Sequence, residues 1–257
     1  MRKFIPNKIS VVIMAGGTGG AFSPISQFMP KSLAWVGTKP IIHRILDSLS
    51  IIPIDRVYII LGEFGEMISS YVPDTKSLNH VIHAIEFVRS GKEDRTGGGL
   101  LRVKGGIQDT FLVYYGDILL EKFDFSEMLA FHTRMRKEHH VLGTLAYSRS
   151  YPLGVGILKL DKSSNLLTEV QEKPTEDIFN VNMGISLFGP GLFNYIKDKT
   201  DDLYSTVIPR ALSSREKFAV FEHRNRWWHI HTAADLYTEL HDGESRKRWF
   251  GTLEGSW

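Results

Sequence analysis

Cysteine is absent from this 257-residue sequence, which excludes disulfides, thiol catalysis and cysteine-ligated metal sites. The sequence also has no apolar run near the roughly 20 residues that a membrane-spanning helix requires. Residues 1–8 are basic and lack the apolar core of a secretory signal peptide. These absences lead us to expect a soluble cytoplasmic protein with no membrane partner.

An excess of charge of one sign is missing as well. The formal net charge is +2, which is too small to indicate a nucleic acid partner. Hydrophobic residues make up 42% and charged residues 23%, as in ordinary globular proteins. The length allows one large core, and no repeat or linker divides it. We therefore expect one domain over residues 1–250.

The order of apolar patterns predicts the fold class. In the first half, apolar runs alternate with segments of helical spacing, such as residues 41–49. The second half is richer in strands and includes a helix over 124–139, which Asp124 and Glu127 would begin as a capping box. We expect an α/β fold with a Rossmann-like, mostly parallel sheet and helices on both faces. The predicted strands are 9–14, 57–61, 80–88, 110–115, 141–147, 155–160, 166–170, 183–188 and 218–222.

The segment Val11 to Leu33, VVIMAGGTGGAFSPISQFMPKSL, is the strongest local signal. It predicts a strand followed by a loop that contains Gly16, Gly17, Gly19 and Gly20. Glycines without a Cβ let backbone N–H groups approach an anion, and Lys31 would add a positive charge. A tight loop with no ligand explains the glycines equally well. The spacing is neither that of a P-loop nor that of the dinucleotide fingerprint.

Asp117 directly follows the apolar run 110–115 in Tyr115-Gly116-Asp117. A carboxylate at this place can coordinate Mg²⁺, although a lone turn aspartate commonly has no ligand. Ligands of parallel sheets bind at the carboxyl ends of the strands. We therefore expect the glycine-rich loop and Asp117 to lie on the same edge of the sheet.

Taken together, the ordered motifs resemble those of the sugar-phosphate nucleotidyltransferases. Ala15-Gly16-Gly17-x-Gly19 and Pro30-Lys31-x-Leu33 resemble the family's loop signature, and Gly116-Asp117 resembles its metal motif. Glu172-Lys173-Pro174 resembles its sugar-binding motif, with Gly154-Val155 and Asn182-x-Gly184 matching the same pocket. The resemblance covers residues 9–240. It implies a GT-A-like nucleotidyltransferase fold, with a nucleotide-binding half over about 1–140 and a sugar-phosphate-binding half over about 141–250.

The resemblance also implies an activity and a set of site residues. Such enzymes join a nucleoside triphosphate to a sugar 1-phosphate with Mg²⁺, or Mn²⁺ as an option, and release pyrophosphate. The catalytic residues would be Lys31, Asp117 and Lys173. The nucleotide would contact Ala15, Gly16, Gly17, Gly19, Gly20, Thr96, Gly97 and Gly98. The sugar phosphate would contact Gly154, Glu172, Lys173 and Asn182.

Two departures from the family pattern concern charge. Gly20 and Ala21 stand where the loop usually has threonine and arginine, so one cation that helps to hold pyrophosphate is missing; Arg95 or Arg226 would have to replace it. His229 and His231 stand where the family has a second metal-binding aspartate. Both would face the same side of a strand, and imidazole suits Mn²⁺ or Zn²⁺ better than Mg²⁺. Phosphate contact and simple packing are the alternatives.

Short matches at 96–103 and 221–223 resemble glucose-1-phosphate cytidylyltransferases and favour cytidine weakly over thymidine, guanosine or uridine. Two other functions stay open. Ala21 and the two histidines favour a non-catalytic homologue that binds nucleotide or sugar phosphate as a sensor or regulatory subunit. A Rossmann oxidoreductase is disfavoured by the glycine spacing. The sugar and the oligomeric state stay open, with a homo-oligomer among the options.

Overall fold

The computed structural model describes residues 8–17, 20–72, 82–149, 151–152, 157–160, 166–171, 175–176 and 180–241. The strands are β1 Ile9–Ala15, β2 Trp35–Val36, β3 Lys39–Pro40, β4 Ile54–Leu61, β5 Ile82–Arg89, β6 Phe111–Tyr115, β7 Ile118–Leu120, β8 Gly143–Ser148, β9 Tyr151–Pro152, β10 Ile157–Leu160, β11 Leu167–Gln171, β12 Thr175–Glu176, β13 Val181–Phe188, β14 Phe218–Glu222 and β15 Trp227–His229. The α-helices are α1 Ile41–Leu49, α2 Gly65–Tyr71, α3 Thr96–Val103, α4 Phe125–His139, α5 Ile208–Ser213 and α6 Ala233–His241.

Seven strands form the central sheet in the order β14-β8-β13-β6-β1-β4-β5. The neighbours β6, β1, β4 and β5 pair in parallel, and so do β8 and β14. Strand β13 runs antiparallel to both β6 and β8, so it is the exception within the sheet. The predicted α/β fold with a mostly parallel sheet is confirmed.

Helices cover both faces of this sheet. Successive residues of β1 point to opposite faces, so this strand contributes to a hydrophobic core on each side. Val11 and Ile13 belong to the hydrophobic core that includes residues of α1 and α4. Val12 belongs to a second core, which includes Leu100 and Val103 of α3. Helix α1 shows why these segments are helical, since its apolar positions fall on one buried face. Those positions are Ile41, Ile42, Ile45, Leu46 and Leu49.

Local hydrogen bonds set several helix boundaries. The Asp124 carboxylate accepts the Glu127 backbone N–H at 2.8 Å and begins α4, as predicted. Residues Pro190–Tyr195 form a 3₁₀-helix. A π-helix over Leu203–Val207 leads directly into α5. The Asp202 carboxylate starts this π-helix by accepting backbone N–H groups, so its first turn is set by a side chain that the apolar pattern does not reveal.

Helix α3 is held in place by a close backbone approach. The Gly97 N–H donates to the Asp201 carbonyl at 2.9 Å, and a Cβ on Gly98 would lie only 2.1 Å from the Lys199 carbonyl oxygen. Arg210 binds the Asp201 carboxylate with two nitrogens, at 2.7 and 3.0 Å, which fixes the segment that α3 contacts. These two glycines therefore serve helix packing. Among the described helices, none has the length and apolarity needed to cross a membrane.

We predict that Gly98→Ala lowers the free energy of unfolding by about 1–3 kcal/mol, because the new methyl group must displace backbone. Gly105→Ala is the matched control, since a Cβ there would meet nothing within 4 Å, and we expect a change within about 0.5 kcal/mol. Urea unfolding of both variants measures the difference. Equal effects would contradict the packing role of Gly98.

Candidate active site

A cavity of about 370 Å³ lies at the carboxyl ends of β1, β4 and β6. It is lined by Ala15, Gly16 and Gly17 after β1, and by Gly116 and Asp117 after β6. Because these strands are parallel neighbours, their carboxyl ends open onto the same edge, as expected from the sequence. The described lining residues are Met14, Ala15, Gly16, Gly17, Lys31, Ser32, Ile60, Ser90, Asp94, Arg95, Thr96, Gly99, Tyr115, Gly116, Asp117 and Asp202.

The glycines of the loop differ in their surroundings. A Cβ on Gly16 would lie 3.2 Å from the Gly62 nitrogen, so this glycine allows the loop to pack closely against the end of β4. A Cβ on Gly17 or Gly20 would meet nothing within 4 Å. Gly17 therefore presents open backbone at the cavity, while Gly19 lies outside the described residues.

An ion pair joins the two motifs at the centre of the site. Lys31 begins a 3₁₀-helix after Pro30, and its Nζ donates to Asp117 Oδ2 at 2.6 Å. Burial by itself would raise the pKa of Asp117, but the His229 hydrogen bond and the Lys31 charge outweigh it and lower the pKa to about 2. Asp117 is therefore a carboxylate at neutral pH.

Two buried oxygen atoms at the cavity lack a hydrogen-bond partner among the described residues. They are Asp117 Oδ1 and the hydroxyl oxygen of Ser32, whose residue is 3% exposed. A buried polar atom without a partner costs free energy unless a ligand or water satisfies it. Both atoms thus have the capacity to bind a ligand, and the Ser32 hydroxyl was not singled out by sequence motifs.

The histidine pair reaches Asp117 through strand β15. This strand pairs antiparallel with β7, and the Ile230 N–H donates to the Asp117 carbonyl at 2.9 Å. His229 Nε2 consequently lies 3.3 Å from Asp117 Oδ2. The ring centroids of His229 and His231 are 5.0 Å apart. One potential ligand atom from each of Asp117, His229 and His231 lies within 4.8 Å of the others, so these three described residues form a group that could hold a metal ion.

The predicted nucleotide contacts in α3 divide into two groups. Thr96 lines the cavity, donates its hydroxyl proton to Asp202 Oδ2 at 2.9 Å and accepts the Leu203 N–H at 2.7 Å. Gly97 and Gly98 instead face the backbone of residues 199–201, and Gly99 lines the cavity beside Thr96. The nucleotide contacts proposed for Thr96, Gly97 and Gly98 stay predictions.

The motifs predicted to bind the sugar phosphate lie mostly outside the described residues. Gly154, Glu172 and Lys173 lie outside the described residues. Asn182 is exposed on β13, and its side-chain oxygen accepts the Gly184 N–H at 3.2 Å. Gly184 has a φ of +71°, a conformation that favours glycine. The sugar-phosphate contacts of these residues therefore stay predictions.

Of the two arginines considered as substitutes for the missing loop cation, only Arg95 lines the cavity. Arg95 forms no ion pair with any residue that the structure describes. Arg226 is exposed directly before β15, where its carbonyl accepts the Glu121 N–H at 3.0 Å. Asp94 and Asp202, which the motifs did not reveal, also line the cavity, but Arg102 binds the first and Thr96 the second.

The segment 221–223 does not line the cavity. Phe221 packs against Phe123 and Phe131, with ring centroids at 6.0 and 5.7 Å. His223 is 4% exposed, and its ring lies tilted against that of Phe123 with the centroids 5.0 Å apart. In this chain the match to cytidylyltransferases at 221–223 therefore concerns packing, and the base stays a prediction.

Residues 10–245 match the model of a protein family described as "Nucleotidyl transferase". The chain therefore belongs to the nucleotidyl transferase family. It is 27% identical over 228 residues to a Sulfolobus acidocaldarius protein assigned to the mannose-1-phosphate guanyltransferases. The match covers 88% of this chain and 61% of that relative, so the chain spans about three fifths of the relative's length.

Two further similarities span nearly the whole of each partner. A Bacillus subtilis protein named a probable glucose-1-phosphate cytidylyltransferase is 25% identical over 259 residues, with 94% of this chain and 96% of the relative covered. UDP-glucose pyrophosphorylase from Acinetobacter baumanii shares the fold with a TM-score of 0.67 at 14% identity, covering 94% of this chain and 97% of that one. The resemblance to sugar-phosphate nucleotidyltransferases inferred from the motifs is confirmed, and so is the fold.

We predict that Lys31→Met lowers the free energy of unfolding by about 1–3 kcal/mol at pH 7, because it leaves the Asp117 carboxylate without its cation. Lys39→Met is the matched control: Lys39 and Asp47 form a pair of the same 2.6 Å length whose side chains are each 49% exposed. Exposed pairs contribute little, so we expect at most about 1 kcal/mol there. Urea unfolding at pH 7 compares the two.

The same comparison has a pH dependence with a defined sign. The pKa of Asp117 is about 2 in the folded protein, below the value of about 3.9 for an unfolded chain. Its ionised form therefore stabilises the fold above pH 4, and this contribution is lost as the pH falls toward 2. The destabilisation by Lys31→Met should shrink over that range. A constant difference between pH 7 and pH 3 would contradict the pairing.

Proposed function

We propose that the protein transfers a nucleotidyl group from a nucleoside triphosphate to a sugar 1-phosphate and releases pyrophosphate. The observation that carries this proposal is the cavity in which the glycine-rich loop, Lys31 and Asp117 meet, in a chain of the nucleotidyl transferase family. The two sequence relatives are named for sugar 1-phosphates, mannose 1-phosphate and glucose 1-phosphate. The cytoplasm, where nucleoside triphosphates are supplied, is the proposed location.

Each half of the chain has a role in this proposal. Residues 1–140 would bind the nucleotide, with the backbone N–H groups of the loop and the Lys31 ammonium facing phosphate oxygens. Residues 141–250 would bind the sugar phosphate, with Lys173 neutralising its charge and Glu172 accepting hydrogen bonds from sugar hydroxyls. Asp117 would hold a divalent cation, Mg²⁺ or Mn²⁺, which supplies charge neutralisation at the phosphates when bound.

The reaction needs no covalent protein intermediate. An oxygen of the sugar phosphate attacks the α-phosphorus in line, and the bond from that phosphorus to the oxygen bridging to the β-phosphate breaks. The protein contributes positioning and charge neutralisation. Lys31 is suited to this task because its ion pair with Asp117 orients the ammonium before substrate arrives. Met14 and Ile60 supply apolar lining that limits water around the phosphates.

Arg95 would compensate for the cation lost at Ala21. It lines the cavity at the start of α3, whereas Ala21 is exposed beyond the glycine-rich loop. A guanidinium there can bind phosphate oxygens with two nitrogens, and it is always charged. The loop without its arginine would then retain two cations at the cavity, Lys31 and Arg95.

We predict that purified protein releases pyrophosphate only when a nucleoside triphosphate and a sugar 1-phosphate are both present. A panel of CTP, dTTP, GTP and UTP against several sugar 1-phosphates, with Mg²⁺ and with Mn²⁺, would identify base and sugar.

An Asp117→Asn variant should release pyrophosphate at least about 100-fold more slowly, since the cation would lose its carboxylate. Triphosphate binding without release across the panel would instead support the non-catalytic homologue.

We predict that Arg95→Ala lowers kcat by roughly 10- to 100-fold, in line with the loss of one donor to a developing charge. Arg226→Ala is the comparison variant, because Arg226 is exposed and does not line the cavity, and its kcat should change by less than about threefold. Steady-state pyrophosphate release measures both. Unchanged turnover in Arg95→Ala would remove Arg95 from the site.

A further inference from the structure

We propose that Asp117, His229 and His231 bind one divalent transition-metal ion, such as Mn²⁺, Co²⁺ or Zn²⁺, in preference to Mg²⁺. The use of this ion in catalysis rests on the proposed function, but binding of the ion does not. The observation is that one ligand atom from each of the three side chains lies within 4.8 Å of the others. Two ligands on opposite sides of one ion lie about 4.4 Å apart, since each bond is about 2.0–2.2 Å long, so these atoms need to approach one another by no more than about 0.4 Å to share an ion.

The backbone brings these side chains together and holds them there. Strand β15 places His229 opposite Ile118, the residue after Asp117. The Ile230 N–H donates to the Asp117 carbonyl, and Ile230 itself is 1% exposed, so this connection is buried. Beyond the strand, the Asp235 carboxylate accepts the His231 backbone N–H at 3.0 Å. The backbone of both histidines is therefore held in place, with the His229 side chain half-buried and the His231 side chain exposed at the rim of the site.

The donor set determines which ion it suits. Mg²⁺ takes oxygen ligands in near-octahedral geometry and gives up water reluctantly. Imidazole nitrogens suit Co²⁺ and Zn²⁺ and bind Mn²⁺ better than Mg²⁺, and the affinity for nitrogen ligands rises from Mn²⁺ through Co²⁺ to Cu²⁺. Here one carboxylate is accompanied by two imidazoles, so two of the three protein ligands are poor ligands for Mg²⁺.

The charge of the site leads to the same conclusion. Lys31 lies 2.6 Å from Asp117 Oδ2 and offsets the single negative charge. Mg²⁺ is bound chiefly through its attraction to negative charge, so it gains little binding free energy from such a site. Transition-metal ions also gain binding free energy from coordination by the neutral imidazole nitrogens. The Asp117 carboxylate still has capacity for an ion, because its buried Oδ1 has no hydrogen-bond partner among the described residues.

Ion binding by the EDTA-treated protein, without substrates, tests this proposal. Calorimetry with Mn²⁺ and Mg²⁺, together with the visible absorption of bound Co²⁺, should show Mn²⁺ binding at least about tenfold more tightly than Mg²⁺. His229→Gln and His231→Gln should each weaken Mn²⁺ by at least about tenfold, since even indirect support of a metal ligand is worth that much. Mg²⁺ binding should change by less than about threefold. The matched control is His139→Gln, at an exposed histidine of α4 outside the site.

The reverse substitution gives a second readout. His229→Asp should strengthen Mg²⁺ binding, because it provides an oxygen ligand in place of a nitrogen ligand. The ratio of Mn²⁺ affinity to Mg²⁺ affinity should therefore fall, or Mg²⁺ should become the tighter ligand. Equal binding of Mg²⁺ and Mn²⁺ by the wild type would overturn the proposal. So would unchanged Mn²⁺ binding in both glutamine variants, which would leave phosphate contact or packing as the role of the histidines. Neither result concerns pyrophosphate release, so a failure of the metal proposal leaves the transferase proposal intact. Selective Mn²⁺ binding without pyrophosphate release would instead support the metal proposal and count against the transferase proposal.

Discussion

Parallel pairing of β1 with β6 is the constraint on which the site depends. Met14 lies opposite Tyr115, so the two strands finish side by side and their following loops share one edge. The Gly116 N–H then donates to the Met14 carbonyl at 3.0 Å, and a Cβ on Gly116 would lie 2.8 Å from that oxygen. Only glycine lets the second loop come this close to the first. The approach places Asp117 within reach of Lys31, which follows the first loop.

Around this junction, the carboxylates of the cavity differ in how many hydrogen-bond partners they have. Asp117 is the carboxylate that Lys31 and His229 both contact through Oδ2, while Oδ1 remains without a partner among the described residues. The other acidic residues of the cavity, Asp94 and Asp202, are engaged by Arg102 and Thr96. Among the described carboxylates that line the cavity, Asp117 is therefore the one with a buried oxygen atom that has no hydrogen-bond partner.

Much of this arrangement could be predicted from the sequence, because apolar runs that end in glycine or aspartate mark the carboxyl ends of parallel strands. Pattern alone could not separate two uses of glycine. Gly17 opens backbone to the cavity, whereas Gly97 and Gly98 allow α3 to touch the carbonyls of residues 199–201. Strand alternation was also an incomplete guide to His231, since β15 ends at His229 and the Asp235 turn sets the next residues. Such contacts depend on residues distant in sequence.

Strand β13 has a consequence for how the chain acquires its shape. It inserts between β6 and β8, so the edge of the first four parallel strands is closed by a segment from the second half. The Thr96–Asp202 hydrogen bond likewise joins residues 106 positions apart. Contacts of such separation slow folding, since a long loop must close before they form. During synthesis, the cavity cannot be completed until more than 200 residues have left the ribosome, although most of its described lining residues are made in the first half of that time.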